Sequence, residues 1–184
     1  TNSFVETVGT AMTAETPTSA GGVVLTWEIH PTLPAGLSID SSTGEISGTP
    51  GVVSPFTTYT IYANNTGGSA TATVDITVND VIPSDVDYNP SSFVETMGVD
   101  MTAVTPSALG GTVTSWEVHP DLPTGITIDS STGEISGTPS VLSTLTTYTI
   151  YANNTGGSAT TTIDFTVNDV IPSSIEYSGS PFIY

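Results

Sequence analysis

Three aspartates, Asp80, Asp85 and Asp87, fall within eight residues of chain. Carboxylates that close, with backbone carbonyls around them, are the hard-oxygen donors that Ca²⁺ gathers, roughly six to eight at a time. No cationic side chain competes for them: the chain has no lysine or arginine against 18 acids, a net charge of −18. The acids must therefore be solvated, hydrogen-bonded or paired with metal cations. A solvated acidic segment that only repels its neighbours is the alternative to an ion site. The turn Asp40-Ser-Ser-Thr-Gly-Glu45, repeated at Asp129–Glu134, is too short for an EF-hand and lacks its alternating aspartates, so it reads as an Asx turn.

Other chemistry is thinner. His30 and His119 each precede proline at equivalent scaffold positions. Glu28 and Glu117 share strands with a tryptophan, on the opposite face, and read as solvent-facing. Paired carboxylates run glycoside hydrolysis only when they flank a cleft, and no cleft-forming insertion is visible. No catalytic residue is assigned, and the chain reads as not an enzyme. Asn64-Asn-Thr66 and Asn153-Asn-Thr155 are N-glycosylation sequons, making Asn64 and Asn153 candidate acceptors; the same residues are also simply good turn formers. Tyr62 and Tyr151 point away from the apolar face of their strands, either to bind sugar rings or contact another subunit, or to pack under a loop.

The elements that position these residues occur twice. Ser3–Thr7 returns as Ser92–Thr96, Ile39–Pro50 as Ile128–Pro139, Tyr59–Ala70 as Tyr148–Ala159, and Val78–Ser84 as Val167–Ser173. The shift is a constant 89 residues, and about two-thirds of aligned positions are identical. That period is too long for a solenoid unit and suits one small domain. Ala70–Val78 alternates, with Ala70, Ala72, Val74, Ile76 and Val78 on one face, as a half-buried antiparallel strand does. Thr58–Ala63 puts Tyr59, Ile61 and Ala63 inward, and the Asn64–Gly68 loop joins the two as a hairpin. Leu25, Trp27 and Ile29 share another strand face, with Trp27 and Trp116 as core plugs. Helix signals are nearly absent. The expected architecture is all-β: two tandem Ig-like antiparallel sandwiches. The first repeat spans 1–84, a linker 85–91 and the second repeat 92–173. Residues 174–184 hold a second linker and the first strand of a third copy: Tyr88 maps to Tyr177 and Phe93 to Phe182. Tyr177–Tyr184 is then either a truncated third repeat or a strand donated to a neighbouring subunit. The join Val78–Pro90 lacks glycine and carries Pro83 and Pro90, so it reads as stiff and extended.

Composition excludes several classes. Without lysine or arginine, phosphate neutralisation fails, so nucleic acid is not a partner. Anionic membrane surfaces are disfavoured for the same reason. No run approaches the ~20 apolar residues of a membrane helix, and no insertion into a membrane is expected. With no cysteine there are no disulfides and no thiolate sites. No secretory leader is visible, so any leader has been removed or lies outside the sequence. An acidic, lysine-free chain suits a saline exterior, and halophilic adaptation alone would also explain the acids.

Leu33–Pro50 (LPAGLSIDSSTGEISGTP) followed by Tyr59–Asp80 resembles the "putative Ig" repeats of bacterial and archaeal surface proteins, which are related to the dystroglycan-type cadherin-like domains. The resemblance covers nearly all of each repeat. It implies a seven-stranded sandwich used in tandem in adhesins, stalks and cell-envelope proteins. Val78–Pro83 (VNDVIP) is also similar to the cadherin linker, whose Ca²⁺ ligands include a glutamate of the first strand and the linker itself. Carried over, the resemblance matches Glu6, Asn79 and Asp80; it departs at Val81 and Thr77, and the Asp-Arg-Glu element is missing. Glu6 with Asp80, Asp85 and Asp87 would make one site at the first junction. Glu95, Asp169 and Glu176 remain at the second, where Ser174 replaces Asp85. Calcium there would tie adjacent domains together.

The function expected is an extracellular, cell-surface structural protein: a stalk, fibre or filament of Ig-like domains, joined to copies of itself or to neighbouring repeats of one chain, with strand donation as one means. The alternative is a surface adhesin or carbohydrate-binding module with glycans as partners and Ca²⁺-dependent junctions.

Overall fold

The computed structural model describes residues 2–176. The donor strand or third-repeat strand expected at Tyr177–Tyr184 lies outside the described residues. The first copy contributes β1 (Asn2–Thr7), β2 (Thr26–His30), β3 (Leu37–Ile39), β4 (Ile46–Gly48), β5 (Ser54–Asn65) and β6 (Gly68–Asn79). A short strand, β7 (Pro83–Asp87), follows. The second copy contributes β8 (Ser92–Thr96), β9 (Ser107–Gly110), β10 (Ser115–His119), β11 (Ile126–Ile128), β12 (Ile135–Gly137), β13 (Ser143–Asn154) and β14 (Gly157–Asn168). No helix forms among the described residues.

Each copy builds a four-stranded sheet, β1-β6-β5-β2 in the first and β8-β14-β13-β10 in the second. A two-stranded sheet accompanies each, β3-β4 or β11-β12. The first copy thus has six strands and the second seven, where the family resemblance implied seven each; around Glu15 and Val104 pairing shrinks to a single bridge each, to Ile46 and Ile135. The long hairpin runs antiparallel, with Asn65 opposite Gly68, so its turn is only Thr66-Gly67. β1 lies parallel to β6, from Asn2 opposite Val74 to Thr7 opposite Asn79. It reaches that edge from outside the hairpin, as a parallel partner must.

In the first copy Met12, Trp27, Leu33, Leu37, Ile46, Tyr59, Ile61, Val74, Ile76 and Val78 form one buried cluster. The alternation read from β6 holds for Val74, Ile76 and Val78 but not for Ala70 and Ala72, which are exposed. Strand lengths explain the difference. Twelve-residue β5 and β6 run about 40 Å, whereas three-residue β3 and β4 run about 10 Å, at roughly 3.3 Å per residue. The short sheet covers one end of the hairpin and leaves the other end bare. Leu25 is likewise exposed rather than inward, because β2 begins only at Thr26.

The described residues form two compact units, one of 2–85, 109–114 and 153–159, the other of 86–108, 115–152 and 160–176. The division cuts across the sequence repeats, since the loop 109–114 and the hairpin tip 153–159 of the second copy close on the segment that follows β6.

Ile76, fully buried in the first cluster, and Leu25, 58% exposed, make a paired test. Ile76→Ala is expected to destabilise by about 2–5 kcal/mol. Leu25→Ala should stay within about 0.5 kcal/mol, both read from urea midpoints.

Candidate functional site

The acidic segment after β6 is built from its backbone outward. Asp80 folds its carboxylate back to accept the N–H of Val81 at 2.8 Å. β7 then alternates, with Pro83 buried and Ser84 exposed, until Asp85 takes φ = 48°. Aspartate tolerates that left-handed conformation better than most residues. The kink resets the alternation by one residue, so Val86 and Tyr88 go inward while Asp85 and Asp87 face solvent.

Within the first unit, the segment is gripped by the tip of the β13–β14 hairpin and the 109–114 loop. The Asp80 N–H donates to Thr155 Oγ1 at 3.0 Å, and Asn154 Nδ2 donates to the Val81 carbonyl at 2.6 Å. A Cβ on Gly111 would stand 1.7 Å from the Val81 carbonyl oxygen, and one on Gly156 would stand 2.1 Å from that of Asp80. Within the second unit, Tyr88 is 2% exposed, edge-on to Trp116 with ring centroids 6.4 Å apart. Its hydroxyl donates to the Gly133 carbonyl at 2.6 Å, and burial pushes the phenol well above its ordinary pKa. None of these contacts follows from strand periodicity or from local turn signals. The signal was present in glycines 111 and 156, and in a tyrosine that returns as Tyr177.

The candidate metal ligands are dispersed along the elements. Glu6 lies on β1 opposite Val78 and Asn79 ends β6 opposite Thr7, both half-buried. Asp85 and Asp87 are exposed on β7. Glu95 pairs with Val167 on β8, and Asp169 caps its own neighbour Val170 at 2.8 Å. Glu176 is exposed. Among the described residues no three carboxylates or imidazoles come together as a group that would hold one ion. Elsewhere the acids find hydroxyls: Thr58 donates to Asp75 and Thr147 to Asp164, each at 2.6 Å across adjacent strands.

The sequons sit on paired strand rather than in a free loop. Asn64 stands opposite Ser69 and accepts its hydroxyl at 2.5 Å, and Asn153 does the same with Ser158. Tyr62 packs edge-on to His30 and Tyr151 to His119, with centroids 5.7 Å apart in both pairs. Among the described residues no charged side chain is buried.

The Asx turns take the expected form. Asp40 Oδ1 accepts the N–H groups of Ser42 at 2.7 Å and Thr43 at 2.9 Å, and Asp129 repeats this with Ser131 and Thr132. Backbone N–H donation from Thr43 and then Ser42 lowers the Asp40 pKa; donation from Ser131 and then Thr132 lowers that of Asp129.

The family described as "Putative Ig domain" matches residues 1–79 and again 83–168. The chain belongs to this family, with two copies in succession. A protein named "Serine-rich adhesin for platelets" from Staphylococcus aureus strain MRSA252 is 32% identical over 158 residues, 80% of this chain and 11% of that protein. Its counterpart in strain USA300 shows the same identity, over 7% of its length. The chain therefore spans about a tenth or less of these relatives. Among solved structures, the N-terminal four Ig domains of Dscam1 isoform 6.9 align with a TM-score of 0.53 at 13% identity, over 91% of this chain and 43% of that one. Isoform 9.44 aligns with a TM-score of 0.52 at 15% identity, with the same coverage. At such identities the likeness is one of fold: all-β Ig-like sandwiches in tandem.

Because their folded pKa values are depressed, Asp40 and Asp129 stabilise the protein above the ordinary aspartate value of 3.8, and that contribution is lost as pH falls through their lower folded values. The double variant Asp40→Asn/Asp129→Asn should melt below the parent at neutral pH. The gap between the two should close as the pH is lowered beneath 3.8, as followed by circular dichroism.

Proposed function

We propose that this chain is a load-bearing or spacing segment of an extracellular, cell-surface protein: a stalk, fibre or filament of Ig-like repeats. The observation that carries the reading is two copies of one family domain in direct succession, with the segment after the first copy held as a strand rather than left as a tether. The adhesin relatives support a surface location, since adhesion is surface work. The reading is non-catalytic. It is supported by the return of Glu28 and His30 as Glu117 and His119 at equivalent scaffold positions, and by the lack of a buried charged side chain among the described residues. Joining of copies by strand exchange fits the open sheet face of the first repeat. Adhesion to a ligand is the second reading, favoured by the name of the relatives. The packing of Tyr62 on His30 speaks for a structural rather than a sugar-stacking use of that ring.

Antibodies raised against the 184-residue chain should label intact, unpermeabilised cells by immunogold electron microscopy, with particles along surface appendages. Label confined to the cell interior would overturn the proposal. Calcium is decided separately by melting. If ions tie the junction, the melting temperature rises with millimolar Ca²⁺ and the rise vanishes in Asp80→Asn; an unchanged melting temperature removes the metal from the account.

A further inference from the structure

The second repeat shows what covers the bare end of its long hairpin: residues 80–88. Within the first unit, Asn154 Nδ2 holds the Val81 carbonyl, Thr155 Oγ1 holds the Asp80 N–H, and Ile82 lies against Gly157, 3.4 Å from where a Cβ would be. β7 pairs with β9 as a two-stranded sheet. Within the second unit, Tyr88 closes over Trp116 and reaches Gly133.

The first repeat carries the same groove, and among the described residues no strand lies in it. The shift of 89 residues puts the counterpart of residues 80–88 ahead of Thr1, outside the sequence. A groove of about 590 Å³ runs over Trp27, Ala63, Ala70 and Ala72, flanked by Gly22 and Gly67. Burial follows occupancy: Ala152 is fully buried where Ala63 is only half-buried, and Ala159 is half-buried where Ala70 is exposed. The receiving parts are all present. Asn65 Nδ2 has only the Val23 carbonyl, at 3.2 Å, where Asn154 holds both Val81 and Thr112. Gly22 and Gly67 match Gly111 and Gly156, which cannot carry a Cβ beneath the incoming strand. Neither Gly22 nor Gly67 has the positive φ that would itself call for glycine, and a Cβ there would meet only the side chain of Asn65.

A fitting strand stands at the other end of the chain. Residues 169–177 read DVIPSSIEY against DVIPSDVDY at 80–88. Asp169 makes the same 2.8 Å cap to its neighbour as Asp80 does. Ile171 and Ile175 are 84% and 81% exposed, whereas Val86, the counterpart of Ile175, is 9% exposed.

We propose that the first-repeat groove binds residues 169–177 of a second copy of this chain. The strand lies along Thr18–Gly21 as β7 lies along β9. The donor segment therefore precedes most of the Tyr177–Tyr184 strand suggested by the sequence. Donor and acceptor surfaces differ, so the contact is head-to-tail and repeats into open chains. Both partners are acidic, so salt strengthens it by screening. The inference rests on the structural reading above and names its joint.

The test uses the full chain with its own tail disabled by Ile171→Asp and Ile175→Asp, titrated with a labelled peptide of residues 169–177. Saturable one-to-one binding is expected, weakened at least about tenfold by Gly67→Val at an unchanged melting temperature. The unaltered chain should form concentration-dependent oligomers in sedimentation velocity, growing with salt and dispersed by excess peptide. Absence of peptide binding at about 1 mM, an affinity near the weakest useful contact, overturns the proposal. So does binding that Gly67→Val leaves unchanged, or an unaltered chain that stays monomeric throughout. Surface labelling is indifferent to all three results, so the joint can fail while the surface reading stands.

Discussion

Everything in this fold turns on how much of a long apolar sheet face a short sheet can cover. The β5–β6 hairpin needs its length because the strands that pair with it, β2 and β1, lie on opposite edges at different heights. The opposing β3–β4 sheet is a quarter as long. A protein that builds its main sheet this way has two ends to its core: one sealed by Leu37, Ile46 and Met12, the other left with alanines and glycines. Alanine and glycine there are informative. Larger side chains would bury themselves locally, whereas small ones leave space for a backbone to approach. The segment 80–88 uses that space in the second copy, and its burial of Val86 and Tyr88 adds core to a domain too small to spare any.

The charge pattern follows a related economy. Without lysine or arginine there are no ion pairs to tune, and the acids are satisfied by hydroxyls and backbone N–H groups instead. Threonine serves twice, as a β-branched strand former and as a donor to Asp75 or Asp164 on the opposing strand. The Asx turns recruit carboxylates as local scaffolding, with backbone N–H groups stabilising the charge. Such a chain carries a strong field of one sign over its whole surface, which keeps it dispersed in dilute salt. A contact between copies would then have to rest on backbone hydrogen bonds and apolar plugs rather than on ion pairs.

Much of this was legible in the chain alone. The period of 89 residues and the alternation around Val74, Ile76 and Val78 point to two all-β domains, because short strands with one apolar face and no helices to cover them bury that face sheet against sheet. The Asp40 turn was equally readable, since its hydrogen bonds are local. Ala70, Ala72 and Leu25 misled because alternation reports which face a residue occupies but not whether anything covers that face; the cover comes from β3 and β4, some thirty residues away. The same limit hid the roles of Gly111, Gly156 and Asn154, which meet the carbonyls of Asp80 and Val81, with Val81 73 residues from Asn154. Asp80, Asp85 and Asp87 lie close along the chain, but the left-handed backbone at Asp85, φ = 48°, which resets the alternation around it, was not readable from their spacing. Periodicity and local turns are properties of neighbouring residues, so the sequence determines them. Coverage and convergence depend on where distant backbone lies, and only the tertiary structure decides those.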